Sequence, residues 1–218
     1  MDVFFGVISL IIGYLMGSIN AAVIISRLLY KDDVRKHGSG NAGMTNMLRT
    51  YGKKAAILTF LVDFLKGVAA CLIAMLLVTL IKGGSAIAKD IAVTAAGMGA
   101  ILGHNWPLYF GFKGGKGVLT SFAIMLFIVP VPTLIAFGIF IVIVAITRYV
   151  SLGSIIAAAS LPVMVFFAGD VLAKSAGGGL SVQFIFCVVA AALLIVRHHA
   201  NIGRLIKGTE SKIFSKKK

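Results

Sequence analysis

Acidic residues are scarce: Asp and Glu number 7 among 218 residues, against 21 Lys and Arg. No DxxDG-type carboxylate cluster is present for a metal-dependent phosphotransferase, and no histidine is followed five positions on by an acid, as in a His-x4-Asp acyltransferase box. The reading expects no metal and no cofactor. Cysteine is equally sparse. Cys71 and Cys187 both lie within apolar runs, where a thiol packs as a small hydrophobe, and their spacing fits no metal site. Charged residues of both signs make up only 13%, about half the roughly 25% of soluble domains. The N-terminus lacks a basic n-region before its apolar run and no small-residue cleavage site closes that run, so the first run reads as a retained span.

What remains is apolar. Hydrophobic residues are 59% of the chain and its mean hydropathy is +1.02, more apolar surface than a soluble domain of this length can hide. The net charge of +14 could suggest nucleic acid, but the basic residues flank hydrophobic runs, where they orient a membrane protein and attract lipid head groups. The expected partners are therefore membrane lipids, with no nucleic acid and no obligatory protein partner.

A spanning helix needs about 20 apolar residues. Runs at 3–29, 55–81, 87–103, 152–169 and 181–196 qualify, and 117–147 is uncharged but too long for one span. Pro130 and Pro132 in its middle favour a break. The expectation is an all-α integral membrane bundle of about seven transmembrane helices, a single domain over 1–218, with the N-terminus outside and the C-terminus cytoplasmic. In that arrangement the inner segments carry 17 of the 21 basic residues. The outer ones carry Lys82, Lys89 and Lys174, and Lys66 lies within a span. Treating 117–147 as one span would put Arg148 and the charged tail, Lys216–Lys218 included, on the wrong side.

Four inner segments, 30–54, 103–117, 148–154 and 197–218, are unlike plain connectors. The first runs His37-Gly-Ser-Gly-Asn-Ala-Gly-Met-Thr-Asn-Met-Leu-Arg49. Glycines let backbone approach a ligand, Ser39, Asn41, Thr45 and Asn46 add short polar groups, and Arg49 offers a bidentate fork for phosphate. Gly38–Gly43 matches GxGxxG, but it follows charge rather than a strand, so a dinucleotide fold does not follow. The second holds His104 and ends Lys113-Gly-Gly-Lys-Gly117. There Gly114, Gly115 and Gly117 alternate with lysines and open into an apolar helix, a backbone anion site with Lys116 as point charge. Gly117 stands where a Walker A loop needs Ser or Thr. The third, with Ser151 and Ser154, reads more readily as a plain turn. In the fourth, His198 and Asn201 fall three apart, on one face if helical. Asp63 and Lys66, inside the second span, read as a structural intramembrane pair.

Taken in order, these segments resemble the bacterial acyl-phosphate-dependent glycerol-3-phosphate acyltransferase family, PlsY. Gly-Ser-Gly-Asn-Ala-Gly-Met-Thr-Asn-Met-Leu-Arg resembles the family's first motif, Gly-Phe-Lys-Gly-Gly-Lys-Gly-Val its second, and Arg-His-His-Ala-Asn-Ile with Lys-Gly-Thr-Glu its third. Asp63-Phe-Leu-Lys-Gly and Tyr149-Val-Ser-Leu-Gly-Ser match further. Ala42, Met44, Asn20 and Ser211 depart from the family's usual residues. The resemblance implies transfer of a fatty acyl group from acyl phosphate to the 1-hydroxyl of glycerol 3-phosphate at the cytoplasmic face of a bacterial inner membrane. It implies catalytic roles for Ser39, Arg49, His198 and Asn201, and substrate contacts for the other polar and glycine residues of the loops. Either His198 takes the hydroxyl proton, or a substrate phosphate oxygen does. The second is preferred, because acyl phosphate has a good leaving group. A transporter or channel for an organic phosphate is the alternative reading.

Overall fold

The protein is described by a computed structural model over residues 2–82, 86–173 and 182–213. The regular secondary structure among the described residues is helical: α1 (Asp2–Gly17), α2 (Ala21–Tyr30), α3 (Met44–Tyr51), α4 (Lys53–Lys82), α5 (Ala86–Asn105), α6 (Val118–Ile128), α7 (Pro130–Thr147), α8 (Val150–Ala173), α9 (Val182–Arg197) and α10 (His199–Ile206). The chain divides into two compact units, Met1–Ile128 and Val129–Lys218. Lys174, Lys216–Lys218 and the first residue of the expected last span lie outside the described residues.

Burial runs opposite to that of a soluble protein. Val3, Leu80, Ile81, Val131, Ile146 and Val196 are exposed, while Asn20, Thr59, Asp63, Asn105 and Thr120 are fully buried. Outward apolar side chains suit lipid, and the interior is closed by small and polar groups.

The first unit is built around a backbone contact between α1 and α5. A Cβ on Gly13 would strike Ala96 O, one on Gly17 Ala100 O, one on Gly99 Leu10 O, and one on Gly103 Tyr14 O. Two Gly-x3-Gly ladders thus face each other, and only glycine permits that approach. The first apolar run is one span in length but two helices in form. It breaks at Ser18–Ile19, and the Asn20 side chain caps α2 by accepting from Val23 N at 3.1 Å. The break frees the Ile19 carbonyl, which accepts from Lys66 Nζ at 2.8 Å, as a backbone group without water requires.

In the second unit α7 and α8 are joined by two residues, Arg148 and Tyr149. Arg148 adopts φ +62°, and its N–H closes α7 on Val144 O at 2.8 Å. Gly153 lets α8 settle against Phe140 and Val144. Beyond α9 the chain bends by 55° at His198 into α10.

The 117–147 run does break near its prolines, with Pro130 opening α7. Among the described residues five stretches are long and apolar enough to cross a membrane, or six if the bent α9–α10 pair counts as one span. The remaining apolar helix, α6, has 11 residues, about 16 Å at 1.5 Å per residue against a hydrocarbon core of about 30 Å.

Candidate active site

In the first unit the loop after α2 is shaped by two glycines in the left-handed region, Gly38 at φ +56° and Gly40 at φ +70°. Asn46, 1% exposed, pins the turn between them. Its Oδ1 accepts from Ser39 N at 3.0 Å, and its Nδ2 donates to His37 O at 2.9 Å and Val34 O at 3.1 Å. Expected as a substrate contact, Asn46 is instead engaged by loop backbone at both ends of its amide. Ser39 is exposed at the loop's tip; Asn41 and Thr45 are partly buried, Thr45 in the first turn of α3 and Arg49 in its last.

Arg35 ties this loop to the second. Its guanidinium donates to Asp33, to Phe110 O at 2.8 Å and to Lys113 O at 3.1 Å. Hydrogen bonds from Arg35 hold the Asp33 carboxyl well below the usual carboxylate range, against the upward push of its partial burial. Asp32 is also lowered, chiefly by the Tyr51 hydroxyl, which donates to it at 2.8 Å. Burial, with Asp32 alongside, pushes Tyr51 up to about 12.

The second loop lies on the end of α5. Gly115 N donates to His104 O at 3.0 Å. A Cβ on Gly115 would strike His104 Nε2, one on Gly114 would strike His104 O, and one on Gly117, at φ +76°, would lie 3.1 Å from Asn105 Oδ1. A Cβ on Gly115 would also lie 2.9 Å from Ala42 O, so the two glycine loops meet there. Lys113 is exposed and Lys116 partly buried. Beneath, Lys66 Nζ lies 2.7 Å from Asp63 Oδ1 and 3.0 Å from His104 Nδ1. The pair inside α4 therefore exists as the i, i+3 spacing suggested, with His104 as a third member.

In the second unit the polar groups gather on Glu210, which is 8% exposed. Ser151 Oγ donates to its Oε1 at 2.9 Å, Asn201 Nδ2 to the same oxygen at 2.7 Å, and Arg204 Nε to Oε2 at 2.6 Å. Burial pushes the Glu210 carboxyl up, but the three donors outweigh it and the net shift is downward. Ser154 Oγ donates to Val150 O at 2.9 Å. Neither serine lies in a loop as the sequence suggested: Arg148 and Tyr149 make up the turn, and both serines fall in the first turns of α8. His198 and Asn201 do not share one unbroken helix, because the bend falls at His198 and Asn201 belongs to α10. His198, 2% exposed, has Nδ1 2.8 Å from Leu194 O. A carbonyl only accepts, so the hydrogen sits on Nδ1 and a neutral ring keeps its lone pair on Nε2.

Each unit thus gathers its own expected residues: the two glycine loops and the buried triad in the first, the Glu210 cluster and His198 in the second. Arg35 and Glu210 were missed. A signal existed for Glu210, the only acid after Asp170.

A model of the glycerol-3-phosphate acyltransferase family matches residues 7–208. A glycerol-3-phosphate acyltransferase of Clostridioides difficile (strain 630) is 42% identical over 217 residues, the full length of both chains. One from Thermoanaerobacter pseudethanolicus is 39% identical, covering 97% of this chain and 98% of that one. The crystal structure of PlsY, an integral membrane glycerol 3-phosphate acyltransferase, in its glycerol 3-phosphate form has a TM-score of 0.79 and 36% identity over 97% of this chain and 95% of that chain. Its lysophosphatidic acid form gives 0.77 and 37%, covering 95% and 94%. The transporter reading finds no support among these relatives. On a family match over most of its length and relatives near 40% identity end to end, the chain belongs to the glycerol-3-phosphate acyltransferase family.

Proposed function

We propose that the chain moves a fatty acyl group from acyl phosphate to the 1-hydroxyl of glycerol 3-phosphate, giving lysophosphatidic acid and inorganic phosphate. The hydroxyl oxygen attacks the acyl carbon, the carbon–oxygen bond to phosphate breaks, and the hydroxyl proton leaves on a phosphate oxygen. The observation that carries this reading is the 97% coverage of the chain by a PlsY structure in its glycerol 3-phosphate form.

The chemistry of the loops agrees. Both substrates bear phosphate, and two glycine-rich cationic loops meet at Gly115. Ser39, Asn41, Thr45 and Arg49 on one loop, and Lys113, Gly114, Gly115, Lys116 and Gly117 on the other, are assigned to phosphate and acyl phosphate. Such groups align two anions and neutralise the leaving phosphate. In the second unit, His198 and Asn201 are read as holding a phosphate or the reacting carbonyl, and Ser151 and Ser154 as substrate contacts. Acyl phosphate is already activated, so the reading invokes no covalent enzyme nucleophile and no metal.

The chain is further read as one catalytic domain of seven spans in a bacterial inner membrane, N-terminus outside, loops cytoplasmic, acting without an obligatory protein partner. The test is transfer of labelled acyl from acyl phosphate to glycerol 3-phosphate by purified protein in detergent, with a chelator present. Labelled lysophosphatidic acid is expected. No product from acyl phosphate, or product only after Mg²⁺ is restored, overturns the donor assignment or the metal-free step respectively.

A further inference from the structure

Three buried polar side chains lie directly under the second glycine loop. Lys66, 6% exposed, directs its ammonium at Asp63 Oδ1 (2.7 Å), Ile19 O (2.8 Å) and His104 Nδ1 (3.0 Å). We infer that Lys66 is a positioning residue, which fixes the His104 ring with its hydrogen on Nε2 and so sets the floor of the Gly114–Gly117 loop.

An ammonium carries three hydrogens and no lone pair. Two of its contacts are to oxygens that can only accept, and the third is to a ring nitrogen. At 3.0 Å from a donor-only group, Nδ1 must present its lone pair. The ring hydrogen is then on Nε2. The other neighbours of Nδ1 do not reverse this: Asp63 Oδ1 at 3.5 Å and Thr120 Oγ1 at 3.4 Å both lie farther from it than the ammonium at 3.0 Å. Asp63 balances the ammonium, which a buried charge needs in order to persist.

Nε2 faces the loop. Only a glycine fits at 115 above it, and the backbone of the same histidine holds the loop through the bond from Gly115 N. His104 therefore meets the loop through both its ring and its carbonyl. A ring that rotates or changes tautomer moves the backbone bearing Lys116. No contact of Lys66 with substrate is required, and its effect passes through His104.

The spectroscopic arm is independent of activity; the kinetic arm rests on the proposed acyl transfer. The first records the ¹⁵N signals of labelled histidine in detergent-solubilised protein, with His104 identified by loss of its signals in His104→Asn. Wild type is expected to show an unprotonated Nδ1 and a protonated Nε2. Lys66→Met, or Asp63→Leu with Lys66→Met to keep the buried charge balanced, is expected to shift the ring toward Nδ1–H. The second measures KM for glycerol 3-phosphate and for acyl phosphate in whichever of these variants keeps the wild-type unfolding midpoint. KM for one of the two is expected to rise about tenfold or more, with kcat changing less. Hydrogen on Nδ1 in the wild type overturns the inference, and so does an unchanged KM for both substrates in a folded variant. A wild type that transfers no acyl group overturns the proposed function and leaves the tautomer assignment to its own spectrum.

Discussion

Glu210 shows how one carboxylate organises several helices. Three donors from α8 and α10 converge on it, and together they lower its titration despite burial. A carboxylate whose folded value lies below its ordinary 4.5 adds stability above that value, and the contribution is lost as pH falls through the folded one. The unfolding midpoint in detergent should therefore hold from pH 7 to about 5 and fall below it. Glu210→Gln keeps an acceptor for Ser151 and Asn201 but turns an amide or a neutral oxygen to Arg204. It should cost about 1.5–3 kcal/mol, the range for hydrogen bonds to charged groups. The low end applies, because Arg204 is 37% exposed. A Gln variant with the wild-type midpoint and the same acid step would show that the cluster holds nothing. The loop residues Ser39, Arg49 and Lys116 stand out in the sequence as candidates, since polar groups between glycines on a membrane loop have no packing reason to be there. Glu210 was not assigned a role: its partners stand 59, 9 and 6 positions away, and no spacing rule joins them.

At the scale of elements, apolar length located α4, α5, α8 and α9, and two prolines located the start of α7. Other features escaped because their signals are local and weak. The break before α2 rests on a single Asn20 cap, and the two-residue α7–α8 joint turns on Arg148, in a conformation that glycine usually supplies. The α1–α5 seam left only the glycines and alanines of the 87–103 run to read, because a glycine ladder marks close approach without naming its partner. Its energetics can be tested by contrast. Gly99→Val would push side-chain carbon into Leu10 O and Tyr14 N, an overpacking that costs about 1–3 kcal/mol or more. Gly138→Val, in α7, meets nothing within 4 Å and should stay within about 0.5 kcal/mol of wild type. Thermal unfolding of both variants in detergent is the measurement. Equal midpoints would mean that the seam is not where the first unit gains its stability.

For the molecule as a whole, topology is the question that charge answers best. A bias of 17 basic residues to three, read from the sequence, sets orientation through the cytoplasmic preference of Lys and Arg. That count depends on the 117–147 region crossing twice. The break before Pro130 supplies two helices there, but α6 at 11 residues is short for a full crossing unless its flanks or the bilayer adjust. Topology reporters decide it. Tags at Lys113 and Arg148 and a fusion after Lys218 should all read cytoplasmic, and a tag near Lys174 external. If 117–147 crossed only once, Lys113 and Arg148 would read on opposite sides. Arg148 would then lie outside, and the α10 segment, with Arg204 and Lys207, would follow it there unless another crossing were lost. Such an outcome would place His198 and Glu210 across the membrane from Ser39 and Lys116. The basic tail from Arg197 onward would also lie outside, against the cytoplasmic preference of Lys and Arg, so the reporter at Arg148 tests the seven-span reading as a whole.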